Sequence, residues 1–142
     1  MTEVLVVARE GYTLPADLLT YETARSALSP YDVERPFPGA MAVETISLGT
    51  AVSLLNDLDW YLARVADAAL VREPSVDETE WLTRDLATAI RDGHVDPEET
   101  GDRVLLYRVE DGRLRPDTQA TRPEGDGSPW GEDTVVVRVM PA

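Results

Sequence analysis

Leu70-Val71-Arg72-Glu73-Pro74-Ser75-Val76-Asp77-Glu78-Thr79-Glu80-Trp81-Leu82-Thr83-Arg84-Asp85-Leu86-Ala87-Thr88-Ala89-Ile90-Arg91-Asp92-Gly93 reads as a short strand running into a helix. The Ser75 hydroxyl is spaced to accept from the Glu78 N–H while the Glu78 carboxylate accepts from the Ser75 N–H, the reciprocal pattern of a capping box. Asp77, Glu78 and Glu80 put negative charge on the positive end of the helix dipole. Arg91 falls in the last turn, and Gly93 suits the left-handed position just past the helix end. Leu82, Leu86, Ala89 and Ile90 recur at helical spacing with Trp81 at their margin, so the helix is expected to lie on a sheet or on other helices.

Upstream, Val4 to Arg9 is a continuous run rich in β-branched residues, bounded by Glu10-Gly11, as in an interior strand. Leu18, Tyr21, Ala24, Arg25 and Leu28 then follow a helical period from Pro15 to Ser29-Pro30. Pro30, Pro36, Pro38 and Gly39 mark a connector, and Met41 to Leu48 fits a second strand in which Glu44 is either a buried acid or an edge residue. Ala51 to Leu55 opens a second helix. Asn56-Asp57 and Asp59 can end it and start a separate turn, Leu58 to Val65, before Ala68 to Val71 forms a third strand.

Downstream of Gly93, Asp96 to Asp102 reads as a solvated acidic loop. Val104–Val109 and Leu114–Thr118 flank Asp111-Gly112, the preferred centre of a type I′ hairpin turn. Counting outward pairs Glu110 with Arg113, Val109 with Leu114 and Arg108 with Arg115. Arg108, Glu110, Arg113 and Arg115 then share one face, and Leu105, Tyr107, Val109 and Leu114 the other. Pro123 to Asp133 reads as a mobile loop, and Val135 to Met140 as a last strand. The order β-α-β-α-β-α-β-β-β predicts an α/β fold over residues 1–142. It is a single domain with a mixed, at least partly parallel sheet of five to six strands and three main helices. A ferredoxin-like α+β sandwich is the alternative.

The 142-residue chain carries 27 Asp and Glu against 13 basic residues, every one of them Arg, for a net charge of −14. Absence of lysine and cysteine together with this acidity is the composition of proteins from salt-in halophilic archaea, where molar salt with a Debye length of about 3 Å screens carboxylate repulsion. Without cysteine, disulfides, thiolate zinc sites and cysteine catalysis are excluded. Thr2-Glu3 is no basic leader, and no stretch approaches the roughly 20 apolar residues that span a bilayer, so a soluble cytoplasmic protein without membrane contact is expected.

Tyr21-Glu22-Thr23-Ala24-Arg25, the block from Ser47 to Leu62 and the run Pro74 to Leu82 resemble a family of small acidic haloarchaeal proteins known only as a domain of unknown function. The resemblance covers Val4 to Met140. It implies lineage and one compact domain, and supplies no catalytic residue, cofactor or substrate.

Parallel strands would gather Arg9, then Ser47, Gly49 and Thr50, then Arg72 and Ser75 at one carboxyl edge, where open α/β sheets bind ligands. Helix N-termini near Thr50 and Ser75 with the two arginines would suit a small anion, against the alternative of ordinary capping and ion pairing. No GxGxxG or Walker A pattern occurs, and no cofactor is expected. His94 is the only histidine and follows a helix end, while Asp57 and Asp59 are readily explained by capping, so no metal site is expected. Arg108, Arg113 and Arg115, with Trp130 between Pro129 and Gly131, form the candidate interaction surface; Glu110 opposite Arg113 and the salt dependence of phosphate binding disfavour nucleic acid. With no nucleophile–base pair, the reading is a non-catalytic protein-interaction or regulatory module. It binds an unknown protein partner or itself through a sheet edge or the hairpin. The alternative is a binder of, or enzyme for, a small anionic ligand.

Overall fold

The computed structural model describes residues 1–110, 113–121 and 134–141. Their strands are β1 (Thr2–Ala8), β2 (Val33–Glu34), β3 (Ala40–Thr45), β4 (Ala66–Arg72), β5 (Trp81–Thr83), β6 (Arg103–Glu110), β7 (Arg113–Thr121) and β8 (Thr134–Arg138). The helices are α1 (Ala16–Leu19), α2 (Glu22–Leu28), α3 (Leu48–Asp57), α4 (Asp59–Val65) and α5 (Arg84–Arg91), with a 3-10 turn at Pro97–Glu99. The result is a mixed α/β structure built on one multi-stranded sheet of order β2-β3-β1-β4-β5-β8-β6-β7. Asp111-Gly112, the 123–133 segment and Trp130 lie outside the described residues.

Three expectations are corrected. First, the helix does not start at Ser75. Glu73 carbonyl accepts from the N–H groups of Val76 and Asp77, and the Asp77 carboxylate accepts from the N–H groups of Thr79 and Glu80. A short polar side chain here satisfies the backbone in a turn that a helix would have to break. Trp81-Leu82-Thr83, aromatic and β-branched, then join the sheet, and the helix begins at Arg84 with the Thr83 hydroxyl accepting from the Leu86 N–H at 3.2 Å. The predicted C-terminus holds: the Gly93 N–H reaches the Ile90 carbonyl at 3.1 Å and the His94 N–H the Ala89 carbonyl at 2.9 Å, with Gly93 at φ 76°. That is a Schellman closure.

Second, the first strands are not all parallel. β1 lies between β3 and β4 and is antiparallel to both. The proline-rich connector hides the cause: it contains β2, which runs antiparallel to β3, so the chain turns once more at Pro36–Gly39 before entering β3. β3 and β4 still run the same way, joined across β1 by α3 and α4. Third, there are more elements than the five to six strands and three helices expected. The first predicted helix is two, broken at Thr20-Tyr21, and β8 sits inside the sheet, parallel to β5 and antiparallel to β6.

Both faces of the centre are covered, which is why β1 reads as a continuous apolar run. Val4, Val6, Met41, Val43, Val71 and Leu82 pack with Leu18, Leu28, Val52, Leu55, Leu62 and Leu86 of the helices. Leu5, Val7, Ala42, Leu70 and Trp81 on the opposite face pack with Tyr107, Leu114 and Val137, so the β6–β7 hairpin folds back over the sheet. The hairpin register is the one counted from the sequence: Glu110 faces Arg113, Val109 faces Leu114 and Arg108 faces Arg115. Among the described residues no helix is long and apolar enough to cross a membrane.

Candidate functional site

The reversal of β1 divides the expected ligand edge between two ends of the sheet. Arg9 follows β1 at one end; Ser47, Gly49 and Thr50 follow β3, and Arg72 ends β4, at the other. Arg9 donates to the carbonyl of Ala63 at 3.2 Å and lies 3.7 Å from the Asp67 carboxylate, where it caps the end of α4. Arg72 pairs with Glu3 at 3.1 Å and lies over the Trp81 ring at 4.8 Å. The Ser47 hydroxyl caps α3 by accepting from the Thr50 N–H at 3.1 Å. A Cβ on Gly49 would meet only the Ser47 Oγ at 3.8 Å, so no close approach demands glycine there. Ser75 is exposed in the turn, its N–H directed to the Glu73 carboxylate at 3.3 Å. The six residues do not converge.

What gathers at the β3–β4 end is acidic. A groove of about 580 Å³ is lined by Met1, Glu3, Pro30, Tyr31, Asp32, Glu34, Ala42 to Ile46 and Thr50. β2 covers only Ala42 and Val43 of β3, leaving Glu44 to Ile46 without a strand on that side among the described residues. The side chains alternate across this edge. Thr45 is buried, donating to the carbonyls of Thr2 at 3.1 Å and Ser47 at 3.0 Å, whereas Glu44 is exposed and Ile46 is 79% exposed. Glu44 therefore proves to be the edge residue of its two sequence readings.

Glu44 stands directly opposite Glu3, and Glu3 opposite Arg72, so one row across β3, β1 and β4 reads carboxylate, carboxylate, guanidinium. Like charges directly across a ladder repel. Arg72 relieves Glu3, and among the described residues no hydrogen bond or ion pair reaches Glu44. Sequence reasoning passed over Glu3, Tyr31, Asp32, Glu34 and Ile46; the signals present were a carboxylate inside an apolar strand and the Val33-Glu34 pair inside a proline-rich connector.

Elsewhere several arginines are held in structural pairs. Arg138 donates to Glu80 at 2.8 Å, to Thr100 at 3.1 Å and to Asp77 at 3.3 Å, with Gly101 against its guanidinium. The 96–102 stretch, read from sequence as solvated loop, thus closes over a largely buried arginine. Burial disfavours the charge of Asp77, but the N–H groups of Glu80 and Thr79, the Thr79 hydroxyl and Arg138 outweigh it and hold its carboxyl below the ordinary range. Arg84 joins Asp59 at 2.6 Å and Asn56 at 3.0 Å, tying α5 to α4 and α3. No group of three or more His, Asp or Glu side chains able to hold a metal occurs among the described residues.

The proposed interaction arginines are placed only in part. Arg108 and Arg115 are exposed, and Arg115 lies 3.9 Å from Glu110. The side chain of Arg113 lies outside the description, as does Trp130. Trp60, 53% exposed, makes edge contacts with Tyr21 and Tyr61, and the Arg64 guanidinium lies 3.4 Å from its ring centre.

No curated protein and no solved structure matches the chain. One family model does, over residues 2–109, which takes in β1 through nearly all of β6 and stops before β7 and β8. The chain belongs to that family, the family of unknown function DUF5804.

Proposed function

We propose that this chain is a non-catalytic interaction module that receives a protein partner at the groove beside β3. The observation that carries this is the open stretch of that strand. Glu44 and Thr45 continue β3 past its two-residue neighbour, with Ile46 just beyond the strand end, and an unpaired strand edge is a ready template for another chain. Natural sheets usually blunt such edges, yet this one ends in an exposed isoleucine and floors a groove within the ligand-pocket range of about 300–1,000 Å³. The other sheet edge, β7, carries Pro116, which has no N–H to donate. A small anionic ligand is disfavoured because the groove is lined by Glu3, Asp32, Glu34 and Glu44, while Arg9 lies at the far end.

The order β2-β3-β1-β4, antiparallel throughout with helices on one face, supports the ferredoxin-like arrangement for residues 2–72. Composition supports a halophilic cytoplasmic setting.

A photo-reactive residue replacing Ile46, compared with one replacing exposed Asp85 on α5, tests the reading in the source cells. A discrete adduct at position 46 that maps to one contiguous segment of a partner, and is absent at position 85, is expected. No adduct at 46, or the same adducts at both positions, would overturn it.

A further inference from the structure

The row Arg72, Glu3, Glu44 ends at a β3 edge where, among the described residues, no strand pairs with Glu44; Asp32, which the β2 register would set opposite it, lines the groove without pairing as a strand. Resting on the interaction reading above, we infer that the partner is an extended peptide segment of alternating character that adds as a strand beside Glu44–Ile46. It sets an arginine or lysine opposite Glu44 and apolar side chains toward Pro30 and Tyr31.

Three observations carry the inference. Among the described residues no strand pairs with β3 at Glu44 and Thr45, and a groove separates them from Pro30 to Asp32. Side chains of an added strand alternate between the two faces of the sheet. One face presents Glu44 with Glu34 and Glu3 nearby, whereas the other meets Pro30, Tyr31 and Thr50. A cation opposite Glu44 would complete the row as plus, minus, minus, plus, which removes the uncompensated like-charge contact between Glu3 and Glu44. A second copy of this chain is a poor occupant: β3 laid on β3 would bring a second Glu44 to the same acidic edge, at a net charge of −14 per chain. An acidic peptide would meet the same repulsion.

The test uses the intact protein and a seven-residue probe alternating valine and arginine, fluorescently labelled and capped at both ends. A proline at its centre and a glutamate version serve as comparisons. The basic probe is expected to bind, the proline version to lose at least tenfold in affinity through the lost ladder donor, and the glutamate version to bind at least tenfold more weakly. Glu44→Arg should weaken the basic probe by about fivefold and strengthen the glutamate probe by a similar factor, since a partly exposed contact pair is worth up to about one order of affinity. Absence of binding by the basic probe, indifference to the proline, or no reversal with Glu44→Arg would each overturn the inference. If any of these came with a discrete adduct at position 46, the interaction reading would stand and only the cationic strand would fall.

Discussion

Arg138 shows how far a single side chain decides the local structure. Its guanidinium is 14% exposed and touches Glu80, Asp77 and Thr100, which come from two separate loops. Arg138→Leu leaves Glu80, 13% exposed, without that partner, and should cost about 3 kcal/mol in a denaturant titration. Gly101 has φ 105°, and a Cβ there would stand 3.2 Å from the Arg138 Cζ. Gly101→Ala should therefore cost about 1–3 kcal/mol, through both backbone strain and the displaced guanidinium. The Asp77 carboxyl, held below its ordinary value of 3.8, contributes stability that is present above that value and lost as pH falls through the lower folded value. Asp77→Asn should flatten the acid limb of the stability curve below about pH 4. Burial, and then the nearby Asp67 charge, push the Tyr107 hydroxyl above 10.0. Its contribution is intact below pH 10 and declines as pH rises further, so Tyr107→Phe should reduce alkaline destabilisation.

At the scale of elements, Ser75, the expected cap of the 70–93 stretch, and Thr83, the cap the structure uses, separate what the chain announces from what it does. Thr83→Ala removes the bond to the Leu86 N–H and should cost about 1 kcal/mol, whereas Ser75→Ala, on an exposed turn, should stay within about 0.5 kcal/mol. Equal losses at both would restore a helix starting at Ser75. The serine reading failed because a capping-box spacing and an Asp77-centred turn use the same short polar residues. Sequence alone does not rank the two when the following Trp81-Leu82-Thr83 can pair between strands. By contrast the hairpin register next to the turn was legible, since Asp111-Gly112 fixes the counting out to Tyr107 opposite Pro116; the bulge beyond it, before Leu106 meets Thr118, was not. The Gly93 stop was legible for a similar reason: only one residue there adopts positive φ without strain.

For the whole molecule, alternation of strand and helix does not fix strand direction. Two residues, Val33 and Glu34, suffice to reverse the entry into β3 and so move Arg9 to the end opposite Thr50 and Arg72. The candidate site was legible only as far as its strand end and its role as an edge; its acidic lining depended on that reversal. Charge imbalance acts globally. With 27 carboxylates against 13 arginines, repulsion outweighs the exposed pairs such as Arg9–Asp67, and shortening the Debye length from about 10 to about 3 Å between 0.1 and 1 M salt should raise the unfolding midpoint. A midpoint that fell with KCl would show that ion pairs dominate instead.

The open β3 edge is the claim on which the functional account rests, and amide hydrogen exchange over residues 42–47 tests it most directly. In the free protein, exchange within Glu44–Ile46 should outpace that of Val4–Val7 in the sheet centre. In complex with the partner captured at position 46, it should slow at least tenfold while β7 stays unchanged. Protection that appears at β7, or no change at Glu44–Ile46 on binding, would contradict the account.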